Sequence, residues 1–135
     1  MELTKPEQTE LKALLGRLRQ ETGGSVTVGR LVADWGRLVV EIERGYSSSI
    51  YEYMNDMTAR VQFELLCRRA GDSLRVELER LVDPWDRRFI NATEPAAKPL
   101  VAPHLGADMP WWNRVPLIRV GELEADLASM GYAKH

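Results

Sequence analysis

The run IYEYMNDMTARVQFELLC, residues 50–67, carries the strongest architectural signal in the chain. At 100° per residue, Ile50, Met54, Met57, Val61 and Leu65 fall in one narrow stripe, while Ala59, Phe63, Leu66 and Cys67 fall on the far side. A helix that is apolar on both sides needs neighbours on both sides, so this segment is predicted to be the centre of a helical bundle. Ser49 followed by Glu52 has the spacing of a capping box, which marks the start. Gly71 marks the stop, because glycine accepts the left-handed conformation that helix ends often need.

On the N-terminal side, Thr4 and Glu7 repeat the capping-box spacing, with Pro6 in a first turn where amides have no helical acceptor to lose. A first helix over residues 5–21 lays Leu11, Leu14, Leu15 and Leu18 on the core and ends at Gly23 and Gly24. The short GGSV connection favours an antiparallel second helix from Ser25 or Thr27 to Arg44. Its inward residues are Leu31, Val32, Trp35, Leu38, Val39 and Ile42, with Arg37 and Glu41 expected to pair on the outside. On the C-terminal side, residues 72–93 form a fourth helix, with Asp72 or Ser73 as N-cap and Leu74, Leu78, Leu81, Val82, Trp85 and Phe89 on one side. Pro84 predicts a kink there, since proline removes one hydrogen bond and crowds the preceding turn.

Composition shifts at Pro95. Five prolines lie between Pro95 and Pro116, which predicts an irregular stretch. Leu100, Val101, Leu105, Met109, Trp111, Trp112 and Val115 are too apolar for a solvated linker, so the stretch is expected to wrap back over the bundle. A short helix over residues 122–130 follows, anchored by Leu123 and Leu127 and stopped by Gly131. The predicted fold is therefore all-α: a four-helix bundle-like single domain with a kinked fourth helix, a Pro/Trp-rich irregular tail and a short C-terminal helix. In domain terms, residues 1–94 form the bundle, 95–120 the wrapping segment and 121–131 the last helix, within one domain spanning 1–135.

A chain of 135 residues with 44% hydrophobic content can bury a core without disulfides or metals. No window approaches the roughly 18–20 apolar residues of a membrane span, and MELTKPEQTE has no basic start or apolar run, so a cytoplasmic location without membrane contact is expected. Cys67, the single cysteine, is expected to be a buried small hydrophobe. Of the 18 basic residues 14 are arginine, which hints at a GC-rich bacterial genome. Charge is spread evenly: residues 1–46 carry seven basic and seven acidic side chains, 47–95 seven and nine, 96–135 four and four. Nucleic-acid binding draws on clustered cations, so this balance disfavours it.

No motif specifies a chemistry. The histidines are His104 and His135, and neither a Cys pair nor an HExxH spacing is present, so no metal and no cofactor is expected. Phosphate-cradling glycine loops are missing, and Ser47, Ser48 and Ser49 lack the GxSxG elbow of a hydrolase. Two groups remain as binding candidates, and no residue is assigned as catalytic. In the tail, Trp111, Trp112 and Arg114 belong to the residue types most enriched at binding hot spots. On the central helix, Tyr51, Asn55 and Gln62 share an arc, and Tyr51 and Asn55 would supply hydrogen bonds in an interhelical pocket or else tie the helix to its neighbours. Asp56, Arg60 and Glu64 are expected as an outer i, i+4 ladder, and the arginines of the fourth helix as a solvated face alternating with acids.

These features favour a non-enzymatic cytosolic bacterial module that binds another protein, of the immunity, antitoxin-like or adaptor type. A small-molecule binder or enzyme with a pocket around Tyr51 and Asn55 is the second reading. The third is a DNA-binding regulator, with the first two helices as a helix-turn-helix. Homodimerisation is compatible with all three.

Overall fold

The computed structural model describes residues 1–96 and 113–132, and within them the chain is mostly helical. Helix α1, Lys5–Thr22, starts on the expected capping box. The Thr4 amide donates to Glu7 Oε1 at 2.8 Å, and the Glu7 amide donates to Thr4 Oγ1 at 3.3 Å. Gly23 closes it at φ 72°, where a side chain would be strained. Helix α2, Val28–Arg44, is capped by Thr27, whose hydroxyl accepts from the Arg30 amide at 3.1 Å.

The centre of the molecule is α2, not the segment 50–67. It packs between helix α4 (Thr58–Arg69) and helix α5 (Asp72–Ala92), and Leu31, Trp35, Leu38, Val39 and Ile42 are buried along it. Trp35 is fully buried and meets Phe89 of α5 with ring centroids 4.9 Å apart. Gly36 makes the close approach to α5 feasible: a methyl group placed there would stand 2.7 Å from the Trp85 ring.

Segment 50–67 itself is two helices instead of one. Helix α3, Ile50–Asp56, ends at Met57, whose φ of −72° and ψ of −11° stay in the right-handed region, and α4 begins at Thr58. The Arg60 amide bonds back only three residues to the Met57 carbonyl, at 3.0 Å, so the turn is tightened in the 3₁₀ manner. The junction moves the apolar phase. Ile50, Tyr53, Met57, Phe63, Leu66 and Cys67 are buried, while Met54, Val61 and Leu65 of the expected stripe are only half-buried. The expected four main helices and short C-terminal helix become six among the described residues, the extra one coming from the division of 50–67.

Helix α5 runs unbroken through Pro84. Pro84 is solvent-exposed, so the carbonyl it deprives of a donor can turn to water. The N-cap is Gly71 and neither Asp72 nor Ser73; the Gly71 amide is taken by Glu10 Oε2 at 2.7 Å, and the Ser73 hydroxyl donates to Glu7. Arg37 pairs with Asp34 at 3.0 Å, not with Glu41.

The segment expected to be irregular is ordered at both of its described ends. Strand β1, Thr93–Pro95, pairs antiparallel with strand β2, Arg114–Pro116, in the register Thr93 to Pro116, Glu94 to Val115 and Pro95 to Arg114. Helix α6, Gly121–Ser129, matches the last predicted helix within a residue and buries Leu123 and Leu127. It docks on α3 and on the segment just before it, by one hydrogen bond to each. The Glu122 amide donates to the Ser47 carbonyl at 2.9 Å, and the Ile50 amide donates to Asp126 Oδ2 at 2.9 Å. Asp126 thus accepts one of the first-turn donors that α3 cannot satisfy internally. No described helix is long and apolar enough to cross a membrane.

Candidate functional site

Two concavities stand out, one polar and one apolar. The polar cleft, about 470 Å³, lies between α2 and the α3–α4 arm. Arg30, Asp34, Arg37 and Glu41 share one face of α2 and form one wall. Asn55 and Asp56 of α3, with Thr58 and Gln62 of α4, form the other, over a floor of buried Leu31, Leu38 and Ala59. At one end Asp34 is shared by two cations, with Arg37 Nη1 at 3.0 Å and Arg30 Nε at 3.9 Å. At the other end the Tyr46 hydroxyl donates to Asp56 Oδ2 at 2.7 Å. Burial pushes the Tyr46 hydroxyl far above its usual range, reinforced by the bond to Asp56 and by the charges of Asp56 and Glu41, so it stays a donor at any physiological pH.

The apolar groove, about 240 Å³, sits where the C-terminal ends of α2 and α5 meet the β2–α6 connection. Ile42, Ala92, Leu117 and Ile118 line it, and Glu43, Arg88 and Asn91 form its rim. Arg88 Nε bonds Glu43 Oε2 at 2.9 Å while its guanidinium lies 4.6 Å from the Trp85 ring centroid. Ile118 and Val120 both overhang Gly45, and with Leu117 they expose 47%, 37% and 39% of their surface.

The sequence candidates divide between these places. Asn55 and Gln62 line the polar cleft. Tyr51 does not: it is 80% exposed, one turn earlier on α3 and outside the cleft wall. Of the expected Asp56–Arg60–Glu64 ladder, the Arg60–Glu64 rung forms and the rung to Asp56 is replaced. Asp56 serves Tyr46, and Arg60 is buried, joined to Asp86 Oδ1 and Oδ2 at 2.9 Å each and to Glu64 at 3.2 Å. Asp86 Oδ1 also accepts from Trp35 Nε1 at 2.9 Å. Burial opposes the Arg60 charge, but the bonds to Asp86 and the nearby acids outweigh it and raise its pKa. This network ties α2, α4 and α5 together and faces inward.

Arg114 is also engaged within the fold. Its Nε donates to Thr93 Oγ1 at 2.7 Å, and Nη2 reaches the Ile90 and Thr93 carbonyls at 3.2 and 3.0 Å, at the end of α5 where carbonyls lack helical donors. Trp111 and Trp112 lie outside the described residues. Arg75 of α5 likewise donates to the Cys67 and Ala70 carbonyls, at 2.9 Å each, closing α4. Glu41 with Asp56, and the groove residues Ile42, Ala92, Leu117 and Ile118, were not singled out from sequence. The first pair has no spacing signature across two helices, although the exposed apolar run Leu117-Ile118 was a usable signal. Compared with protein-family models, with curated proteins and with solved structures, the chain finds no match.

Proposed function

We propose that this chain is a binding module for another protein, of the immunity, antitoxin-like or adaptor kind, and not an enzyme. The observation that carries this reading is the apolar groove lined by the exposed Leu117 and Ile118, with exposed Val120 beside Ile118 over Gly45. A typical interface has an apolar centre and a polar, solvated rim, and this face has that layout. The rim is pre-ordered, because Arg88 is held between Glu43 and the Trp85 ring before any partner arrives. An ordered arginine beside an aromatic ring loses less side-chain entropy on binding than a free one.

The test is quantitative capture from lysate of the source cells, comparing the native chain with the double variant Leu117→Glu, Ile118→Glu at equal thermal stability. A partner retained by the native chain and lost with the variant supports the proposal. Equal retention, or no specific protein with either bait, refutes it.

A further inference from the structure

We propose that the polar cleft between α2 and the α3–α4 arm binds an elongated zwitterion of the short-peptide class, with its ammonium group at the Glu41–Asp56 end and its carboxylate at the Arg30–Arg37 end. This goes beyond protein binding at the apolar groove and involves a different face.

The charge layout carries the inference. Arg30 and Arg37 share the single carboxylate of Asp34, so that end keeps one net positive charge and several unspent N–H donors. Glu41 and Asp56 stand at the other end, both bearing on the Tyr46 hydroxyl. Tyr46 engages only Oδ2 of Asp56, which leaves Oδ1 able to accept from a ligand. Two carboxylates there, with no cation bonded to either among the described residues, give the cleft opposite signs at its two ends. Arg30 and Arg37 converge on Asp34, and seven residues of helix separate Asp34 from Glu41, a rise of about 10 Å, so a single amino acid is too short and an extended peptide of about three or four residues fits.

The middle of the cleft suits a peptide as well. Its floor of Leu31, Leu38 and Ala59 offers apolar contact to small side chains. Along the wall, Asn55, Thr58 and Gln62 line the cleft and make no side-chain hydrogen bond among the described residues, so their amide and hydroxyl groups suit peptide N–H and C=O groups. The volume falls within the usual range for small-ligand sites, roughly 300–1,000 Å³.

The experiment uses the full chain and free-terminus tri- and tetra-alanine as probes, followed by the side-chain amide resonances of Asn55 and Gln62 and by calorimetry. Binding in the millimolar range or tighter is expected, and N-acetylation of the probe should weaken it about tenfold, the value of one charge-assisted hydrogen bond. Glu41→Gln with Asp56→Asn should weaken the free probe by a similar factor and leave the acetylated probe unchanged; asparagine keeps an acceptor for Tyr46, so the fold is retained. The Leu117→Glu, Ile118→Glu variant should bind the probes normally. No movement of the Asn55 and Gln62 resonances with either probe overturns the proposal, as does equal binding of free and acetylated probes.

Discussion

Asp86 offers the sharpest perturbation of the interior. Replacing it with alanine removes both hydrogen bonds to the Arg60 guanidinium and the carboxylate that accepts from Trp35 Nε1. Arg60 is 4% exposed, so its charge would lose its closest carboxylate where little water can replace it, with Glu64 still at 3.2 Å. Breaking a buried pair by deleting one partner costs about 3–5 kcal/mol. Glu64 recovers part of this, and the 14% exposure of the Asp86 side chain lets some water reach the site, so about 3 kcal/mol is expected for Asp86→Ala. That is a large share of the roughly 5–15 kcal/mol that holds a domain together. Urea unfolding followed by circular dichroism reads it as a shift in midpoint at constant slope. Arg60→Met removes the charge that needs a partner, so adding Asp86→Ala to it should cost at least about 1 kcal/mol less than Asp86→Ala alone. A loss below about 1 kcal/mol for Asp86→Ala, or strict additivity in the cycle, would refute the view that this pair is desolvated and coupled.

Three further outcomes are expected. Gly36→Ala should gain about 1 kcal/mol of helix propensity yet destabilise overall, because the new methyl group would sit 2.7 Å from the Trp85 ring, and overpacking typically costs about 1–3 kcal/mol; a raised melting temperature would contradict this. Burial raises the Tyr46 and Tyr53 hydroxyls, so the unfolded chain loses these protons first, and stability present below about pH 10 should fall as pH rises above it. Tyr53→Phe should flatten that alkaline limb in melts taken across it. In acid the sign reverses: the Ser73 hydroxyl, then the Thr4 amide, hold the Glu7 carboxyl below its ordinary range, so its contribution is present above that range and lost as pH falls through the lowered value. Glu7→Gln should reduce the slope of stability against pH on the acid side, measured by the same melts.

Much of the secondary structure was legible because it rests on local chemistry. Thr4 with Glu7, Thr27 and Gly23 act through groups within a few residues of themselves, and the periodic leucines of α5 report a buried stripe, while those of α1 report a shallower one in which Leu18 is buried and Leu11, Leu14 and Leu15 are half-buried. The division at Met57 was not legible. The apolar pattern of 50–67 continues through it, and Met57 keeps right-handed backbone angles, so no residue type marks the break. Arg60 was misplaced for a related reason. An i, i+4 ladder is the default when a helix face meets water, and nothing local to residues 56–64 says that Asp86 stands opposite. Asn55 and Gln62 share a face and line the cleft, whereas Tyr51 shares that arc and is exposed outside the cleft wall, so a shared arc did not decide which residues face a cavity. Which charges complete a site across two helices is set by packing, so Glu41 and Asp56 met only in three dimensions.

The docking of α6 on α3 has a consequence for the order in which the chain can fold. The Ile50 amide waits for Asp126, 76 residues later, and the Tyr53 hydroxyl for the Arg114 carbonyl, 61 residues later. Loops of that length close at an entropic cost that must be met before either bond forms. During synthesis the helices of residues 5–92 are made while α3 still lacks both partners, so that stretch emerges with its α3 edge open. The last turns of the chain act as a clasp, and the bundle is finished from its C-terminal side.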